Sequence, residues 1–179
     1  MTHPSILASH PALATLEDTW PDEAGCAALA ERLALTLAPT LRQGGSHVIE
    51  LHGTLGAGKT TFTRHLLRAL GVQGRIKSPS YAVVEPHQVP GIDIQHFDFY
   101  RFNDPQEWED AGFRDLFGAN GLKLVEWPDK AAGLLPCPDL QLLIEPLDEH
   151  RRQVRLQACT AAGIASLNAM AQAGEAAHG

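Results

Sequence analysis

Cysteine is scarce and badly placed for chemistry: Cys26, Cys137 and Cys159 are odd in number, far apart, and form no CxxC or Cys/His ligand spacing. That excludes a disulfide scaffold and a zinc module, and suits reduced thiols in the cytoplasm. Positive charge is also short, with 14 Lys and Arg against 21 Asp and Glu, a net charge of −7 and a pI near 5.6. No basic field exists to draw nucleic acid or an anionic membrane to the surface, so any nucleic-acid role is expected to be indirect. No apolar run approaches the roughly 20 residues of a membrane span. The opening segment lacks a basic stretch and has only a short apolar run, Ile6-Leu7-Ala8, so it does not read as a secretory signal. Internal repeats are absent.

What is present is ordinary globular composition, 44% hydrophobic and 20% charged over 179 residues. The expected organisation is a loose leader over 1–12, one folded unit over 13–160, and an Ala/Gly-rich tail over 161–179 with the character of a frayed helix. A short strand is expected at 13–17. A helix then opens at Pro21-Asp22-Glu23, carries Ala27, Ala30, Ala34 and Leu37 on one face, and is expected to stop at Pro39. Later segments read as strands at 81–85 and 94–101 around a Pro/Gly loop, a helix from Asp104-Pro105 to about Phe117, an apolar strand at 122–125, and a terminal hairpin of 140–144 with 153–157. The fold class is α/β and P-loop NTPase-like: a mostly parallel sheet flanked by helices, with antiparallel additions that include the hairpin.

The most informative stretch is Gly53-Thr54-Leu55-Gly56-Ala57-Gly58-Lys59-Thr60. It spells GxxxxGK[ST] between a β-rich segment at 47–52 and a helix former at 61–70, the context a phosphate-binding loop requires. Glycines allow successive backbone N–H groups to wrap phosphate oxygens, and the anion then rests on a helix N-terminus. Expected nucleotide contacts are Gly53, Leu55, Gly56, Ala57, Gly58, Lys59, Thr60 and Thr61. Lys59 reaches the β- and γ-phosphates, while the Thr60 hydroxyl completes a Mg²⁺ shell. The bland alternative is a tight turn joining strand to helix.

Hydrolysis further needs a carboxylate near the metal and a group that places water. Glu126 follows the apolar strand at 122–125, at the C-terminal strand end where open α/β folds carry chemistry, and is a candidate Mg²⁺ ligand beside Thr60. Its alternative is a surface acid. Asp98 lies in His96-Phe97-Asp98-Phe99-Tyr100-Arg101, whose alternation sets His96, Asp98 and Tyr100 on one face. It is the candidate group for supporting hydrolysis, with a solvated sheet face as the alternative. His96 itself reads as a hydrogen-bonded sheet histidine, and His47 and His52 as structural. Ser78-Pro79-Ser80 is placed like a switch sensing the γ-phosphate, or a plain Pro turn. Trp127 reads as a core or rim aromatic. Asp115-Leu116-Phe117-Gly118 matches DxxG formally, but no NKxD follows, so ATP is preferred to GTP.

Four blocks then resemble the TsaE family, formerly YjeE. They are residues 53–62; 77–81 with Val84-Glu85-Pro86; 96–101 with Asp104-Pro105; and Val125-Glu126-Trp127-Pro128-Asp129. The resemblance implies a weak ATPase using ATP and Mg²⁺, with Lys59, Asp98 and Glu126 as catalytic residues and Thr60 and Glu126 near the metal. Glu23, at the first helix start, is carried over as a residue beside the base. It also implies action on a TsaD and TsaB pair, in which TsaD transfers the threonylcarbamoyl group to adenosine 37 of tRNA. Thr54 and Ser80 depart from the family's usual Asp and Thr without removing a phosphate or metal ligand. A small-molecule or nucleoside kinase, and a nucleotide-gated binding module with vestigial hydrolysis, are the competing readings.

Overall fold

The computed structural model describes residues 10–176. Residues 1–9 of the expected leader and 177–179 of the expected tail lie outside the described residues. The chain order is β1 (Ala14–Trp20), α1 (Glu23–Arg42), β2 (Ser46–His52), α2 (Lys59–Leu70), β3 (Val84–Val89), β4 (Ile92–Asp98), α3 (Pro105–Asp110), α4 (Phe113–Gly118), β5 (Gly121–Glu126), β6 (Leu140–Pro146), β7 (Arg152–Ala158) and α5 (Ala161–Ala176). Seven strands form one sheet in the order β1-β7-β6-β2-β5-β4-β3. The centre is parallel, β2 pairing with β5 and β6 and β5 with β4, and the outer pairs are antiparallel. This is the expected α/β class, hairpin included.

Parallel registry decides where the chemistry falls. Leu51 of β2 pairs with Glu126, and Glu126 pairs with Asp98 of β4, so the loop after β2 and both acids lie together at the C-terminal ends of the parallel strands. The central strands are buried on both faces, as parallel strands covered by helices must be. Beneath α1, α2 and α5 lie Ile49, Leu51, Ile94, Leu122, Leu124, Leu140 and Leu142. Alternation sends Phe97 and Val125 to the opposite face, where they join Phe99, Phe102, Trp108, Phe113 and Phe117. Phe97 stacks on Phe117 at 4.5 Å between centroids and meets Phe113 edge-on at 5.6 Å. That aromatic block braces the strand end carrying Asp98.

Several boundaries differ from the sequence expectation. Asp22 caps α1, its carboxylate accepting from the amides of Ala24 and Gly25, so Pro21 precedes the helix instead of sitting in its first turn. Pro39 does not end α1, which runs on to Arg42. Its ring and Leu35, four residues back, are both on the exposed side, where water can take the carbonyl that loses its amide. Ala27 is only half-buried, and Leu33 and Leu41 complete the inner face instead. The strands expected at 81–85 and 94–101 are shifted: Val89 pairs with Ile92 across a two-residue Pro90-Gly91 turn, while Tyr81 sits in a 3₁₀ turn. The helix from Asp104 breaks at Ala111-Gly112 into α3 and α4. Residues 161–176 form the full helix α5, whose Leu167 and Met170 join the core while Arg32 donates to the Met170 carbonyl.

Candidate nucleotide site

The loop between β2 and α2 is held by geometry that only glycine meets. Gly58 caps α2 at φ 116°, and a Cβ at Gly53 would sit 2.8 Å from the Ile144 carbonyl oxygen. Ala57 is buried, and its carbonyl accepts from Arg152 Nε at 2.9 Å, which anchors the loop to β7. Lys59, Thr60 and Thr61 follow in the first turn of α2, so their side chains rise beside the loop.

Leu55, Gly56, Gly58, Lys59, Thr60, Thr61, Ser78, Asp98, Tyr100, Glu126 and Trp127 line one groove of about 290 Å³. Within it Thr60 Oγ1 donates to Glu126 Oε1 at 2.8 Å, and His96 Nε2 meets Glu126 Oε2 at 2.5 Å. Glu126 is thus a buried carboxylate held at both oxygens. Ser78 Oγ donates to Asp98 Oδ2 at 2.8 Å, and the Tyr100 amide donates to Oδ1. Lys59 Nζ donates to the Gly53 carbonyl and lies 3.4 Å from the Trp127 ring centroid. Burial pushes its ammonium below the usual lysine range, and the carboxylates of Glu126, Asp98 and Asp129 oppose that shift.

A second groove of about 260 Å³ continues past Gly56, Ala57, Gly58 and Thr61 to Trp20, Asp22, Glu23 and Cys26. The structure therefore places Glu23 beside the loop, at the end remote from Glu126. Gly53 and Leu55 line a third pocket, which Trp127 also walls. All nine residues expected to contact nucleotide, with Asp98 and Glu126, surround one loop.

Three residues were not legible as site residues. His96 reads as a sheet histidine, and only the β4–β5 registry shows that its partner is Glu126. Trp127 is left-handed, φ 57° and ψ 50°, a strained state for a bulky side chain that aims the ring under Lys59. Arg152 reaches the loop from more than ninety residues away, with no local signal. Ser80 and Val83 share positive φ, at 52° and 66°, in the segment that brings Ser78 to Asp98.

Oxygen donors are what Mg²⁺ selects, and one hydroxyl with one carboxylate suffices where phosphates and water supply the remaining ligands. Thr60 and Glu126 fit that requirement. Among the described residues no group of three or more His, Cys, Asp or Glu gathers to hold a metal unaided. No helix of the described residues is long and apolar enough to cross a membrane.

A glycine loop opening a helix at the C-terminal ends of parallel strands, with a hydroxyl–carboxylate pair at its foot, defines a P-loop nucleotide-binding α/β protein. The profile of the family described as "Threonylcarbamoyl adenosine biosynthesis protein TsaE" matches residues 20–154. The chain belongs to the TsaE family. A Haemophilus influenzae protein named "tRNA threonylcarbamoyladenosine biosynthesis protein TsaE" is 45% identical over 104 residues, 58% of this chain and 66% of that protein. A Bacillus subtilis protein of the same name is 34% identical over 111 residues, 62% of this chain and 69% of its own length. The crystal structure of Bacillus subtilis YdiB superposes with a TM-score of 0.71 at 25% identity, covering 92% of this chain and 98% of that one.

Proposed function

We propose that this chain binds ATP with Mg²⁺ and hydrolyses it, slowly by itself, to drive threonylcarbamoylation of adenosine 37 in tRNA through a TsaB–TsaD complex in the cytoplasm. One observation carries the reading: the 2.8 Å contact between Thr60 Oγ1 and Glu126 Oε1 at the mouth of the P-loop. A hydroxyl and a carboxylate so placed would hold Mg²⁺, which would supply positive charge against the phosphate oxygens of the nucleotide.

Each side chain then has a task. Lys59 leaves the Gly53 carbonyl for the phosphates, and the glycine loop presents its amides to the same oxygens. His96 fixes the rotation of the Glu126 carboxylate. Asp98, tied to Ser78, couples the segment at 78–83 to the groove. Glu23, at the other end of the loop, borders the space expected to receive the base. The acidic surface supports a role exerted through protein partners, with tRNA engaged only through the complex.

The test is phosphate release from ATP by the purified chain, alone and with a TsaB–TsaD pair from the same source, with Lys59→Ala as the blank. Turnover that rises with the pair and vanishes in the blank is the expected result. Turnover indifferent to the pair counts against the coupled reading.

A further inference from the structure

Beside the groove that holds the Thr60–Glu126 pair, and sharing Leu55, Lys59 and Trp127 with it, a pocket of about 230 Å³ opens between the first half of the P-loop and Pro128-Asp129. Leu51, Leu55, Trp127 and Pro128 give it apolar walls. His52, Thr54, Lys59 and Asp129 supply its polar side-chain atoms. Lys59 lines both this pocket and the Thr60–Glu126 groove, so the two spaces meet at the side chain expected to reach the β- and γ-phosphates.

His52 is 4% exposed, and a buried network fixes its ring. Nε2 lies 3.0 Å from Glu50 Oε2. The same oxygen accepts from Gln141 Nε2 at 3.0 Å, and Gln141 Oε1 accepts from the Cys159 thiol. A carboxylate oxygen that already receives an amide N–H accepts from His52 as well, so Nε2 carries the ring hydrogen and Nδ1 presents a lone pair. Nδ1 faces Asp129 Oδ1 at 3.8 Å, too far for a hydrogen bond. Two acceptors at that separation, with no donor between them among the described residues, match the two hydrogens of one water. By contrast, both oxygens of Glu126 and both of Asp98 already accept or meet donors.

We propose that this pocket is the seat of the nucleophile: His52 Nδ1 and Asp129 hold the water that attacks the γ-phosphorus, and His52 is a catalytic residue beside those assigned above. The inference rests on the ATP-hydrolysis reading. The water oxygen forms a bond to the γ-phosphorus as the bond from that phosphorus to the β,γ-bridging oxygen breaks. His52 Nδ1 takes a proton of the water, and ADP leaves with the bridging oxygen. The pocket is wide enough to admit a small alcohol in place of water, with methyl phosphate as the product when methanol attacks.

His52→Gln tests the seat, because the glutamine amide still donates to Glu50 while the Nδ1 acceptor is gone. The measurements are ATP turnover, ADP affinity, melting temperature, and the ³¹P NMR ratio of methyl phosphate to phosphate in aqueous methanol. In addition, long-range ¹H–¹⁵N NMR of the free wild-type protein reads the His52 tautomer. Expected are turnover down about 100-fold, the size of a lost acid–base group, ADP affinity within about twofold, an unchanged melting temperature, methyl phosphate from wild type only, and hydrogen on Nε2. Turnover within about threefold of wild type, a matching loss of ADP affinity, or the reverse tautomer overturns the seat while leaving the ATPase reading standing. A wild-type chain that binds ATP and releases no phosphate, with or without the TsaB–TsaD pair, overturns both.

Discussion

Lys59 Nζ lies 3.4 Å from the centre of the Trp127 ring, a cation over an aromatic face held by a left-handed backbone. The first residue of α2 and the first residue after β5 therefore share one contact, and phosphate must compete for the ammonium.

Nucleotide should thus be visible in tryptophan emission. Trp127 meets Lys59 and Trp20 lines the groove beside Glu23, so these two indoles are positioned to respond, whereas Trp108 is buried in the aromatic block. Adding ATP and Mg²⁺ is expected to change the emission in wild type. Lys59→Ala should abolish the change and weaken ATP binding at least tenfold by calorimetry. An unaltered titration in that variant would falsify the assignment of Lys59.

The Ser78–Asp98 contact predicts a separable effect. Ser78→Ala removes the donor to Asp98 Oδ2 and touches no expected phosphate or metal ligand. ADP affinity should stay within about threefold, while turnover with the partner pair falls, and Asp98→Asn should do the same more severely. Stopped-flow binding together with steady-state phosphate release separates the two; a defect confined to binding would assign the pair to nucleotide contact instead.

Thiol chemistry should sort by burial. Burial, with the Glu23 charge adding to it, pushes the Cys26 thiol up from 9.0 to about 12, and Cys159 is pushed to about 11. Cys137 is exposed and should be labelled first by a maleimide, with Cys26 reacting only on unfolding. The folded pKa of Cys26 is raised, so between pH 9 and about 12 the unfolded chain loses a proton that the folded chain keeps, and stability falls as pH rises. Cys26→Ala should show a shallower loss across that window in urea unfolding. Equal slopes would contradict the burial argument.

The α1 cap offers a stability test at the Glu23 end of the site, apart from the Thr60–Glu126 pair. Asp22→Ala deletes the acceptor for the Ala24 and Gly25 amides and should cost about 1 kcal/mol in denaturant unfolding. Asp22→Asn should recover most of it.

The sequence made the phosphate loop, the two acids and the β6–β7 hairpin readable because each depends on short-range rules: glycine spacing, strand-end placement and alternation. Tertiary context decided the rest. Nothing local says that Pro39 can ride the exposed side of α1, or that Ala161–Ala176 docks as a helix through Leu167 and Met170. The slip of β3 follows from the Pro90-Gly91 turn, which fixes register against β4 more strongly than the apolar pattern at 81–85. His96, Trp127 and Arg152 acquire their partners across strands or turns, so their roles exist only once the sheet has formed.

The strand order also constrains how the protein comes into being during synthesis. β1, made first among the described strands, pairs only with β7, Ala14 with Ala158, and β2 gains its neighbours β5 and β6 late in the chain. Until residues past 150 have left the ribosome, β1 has no partner and Arg152 is not there to hold the Ala57 carbonyl. Helices α1 and α2 can form early, but the phosphate loop acquires its shape only when nearly the whole chain has emerged. A truncated product of stalled translation would therefore carry the motif without the site, and so could not compete with the finished protein for nucleotide.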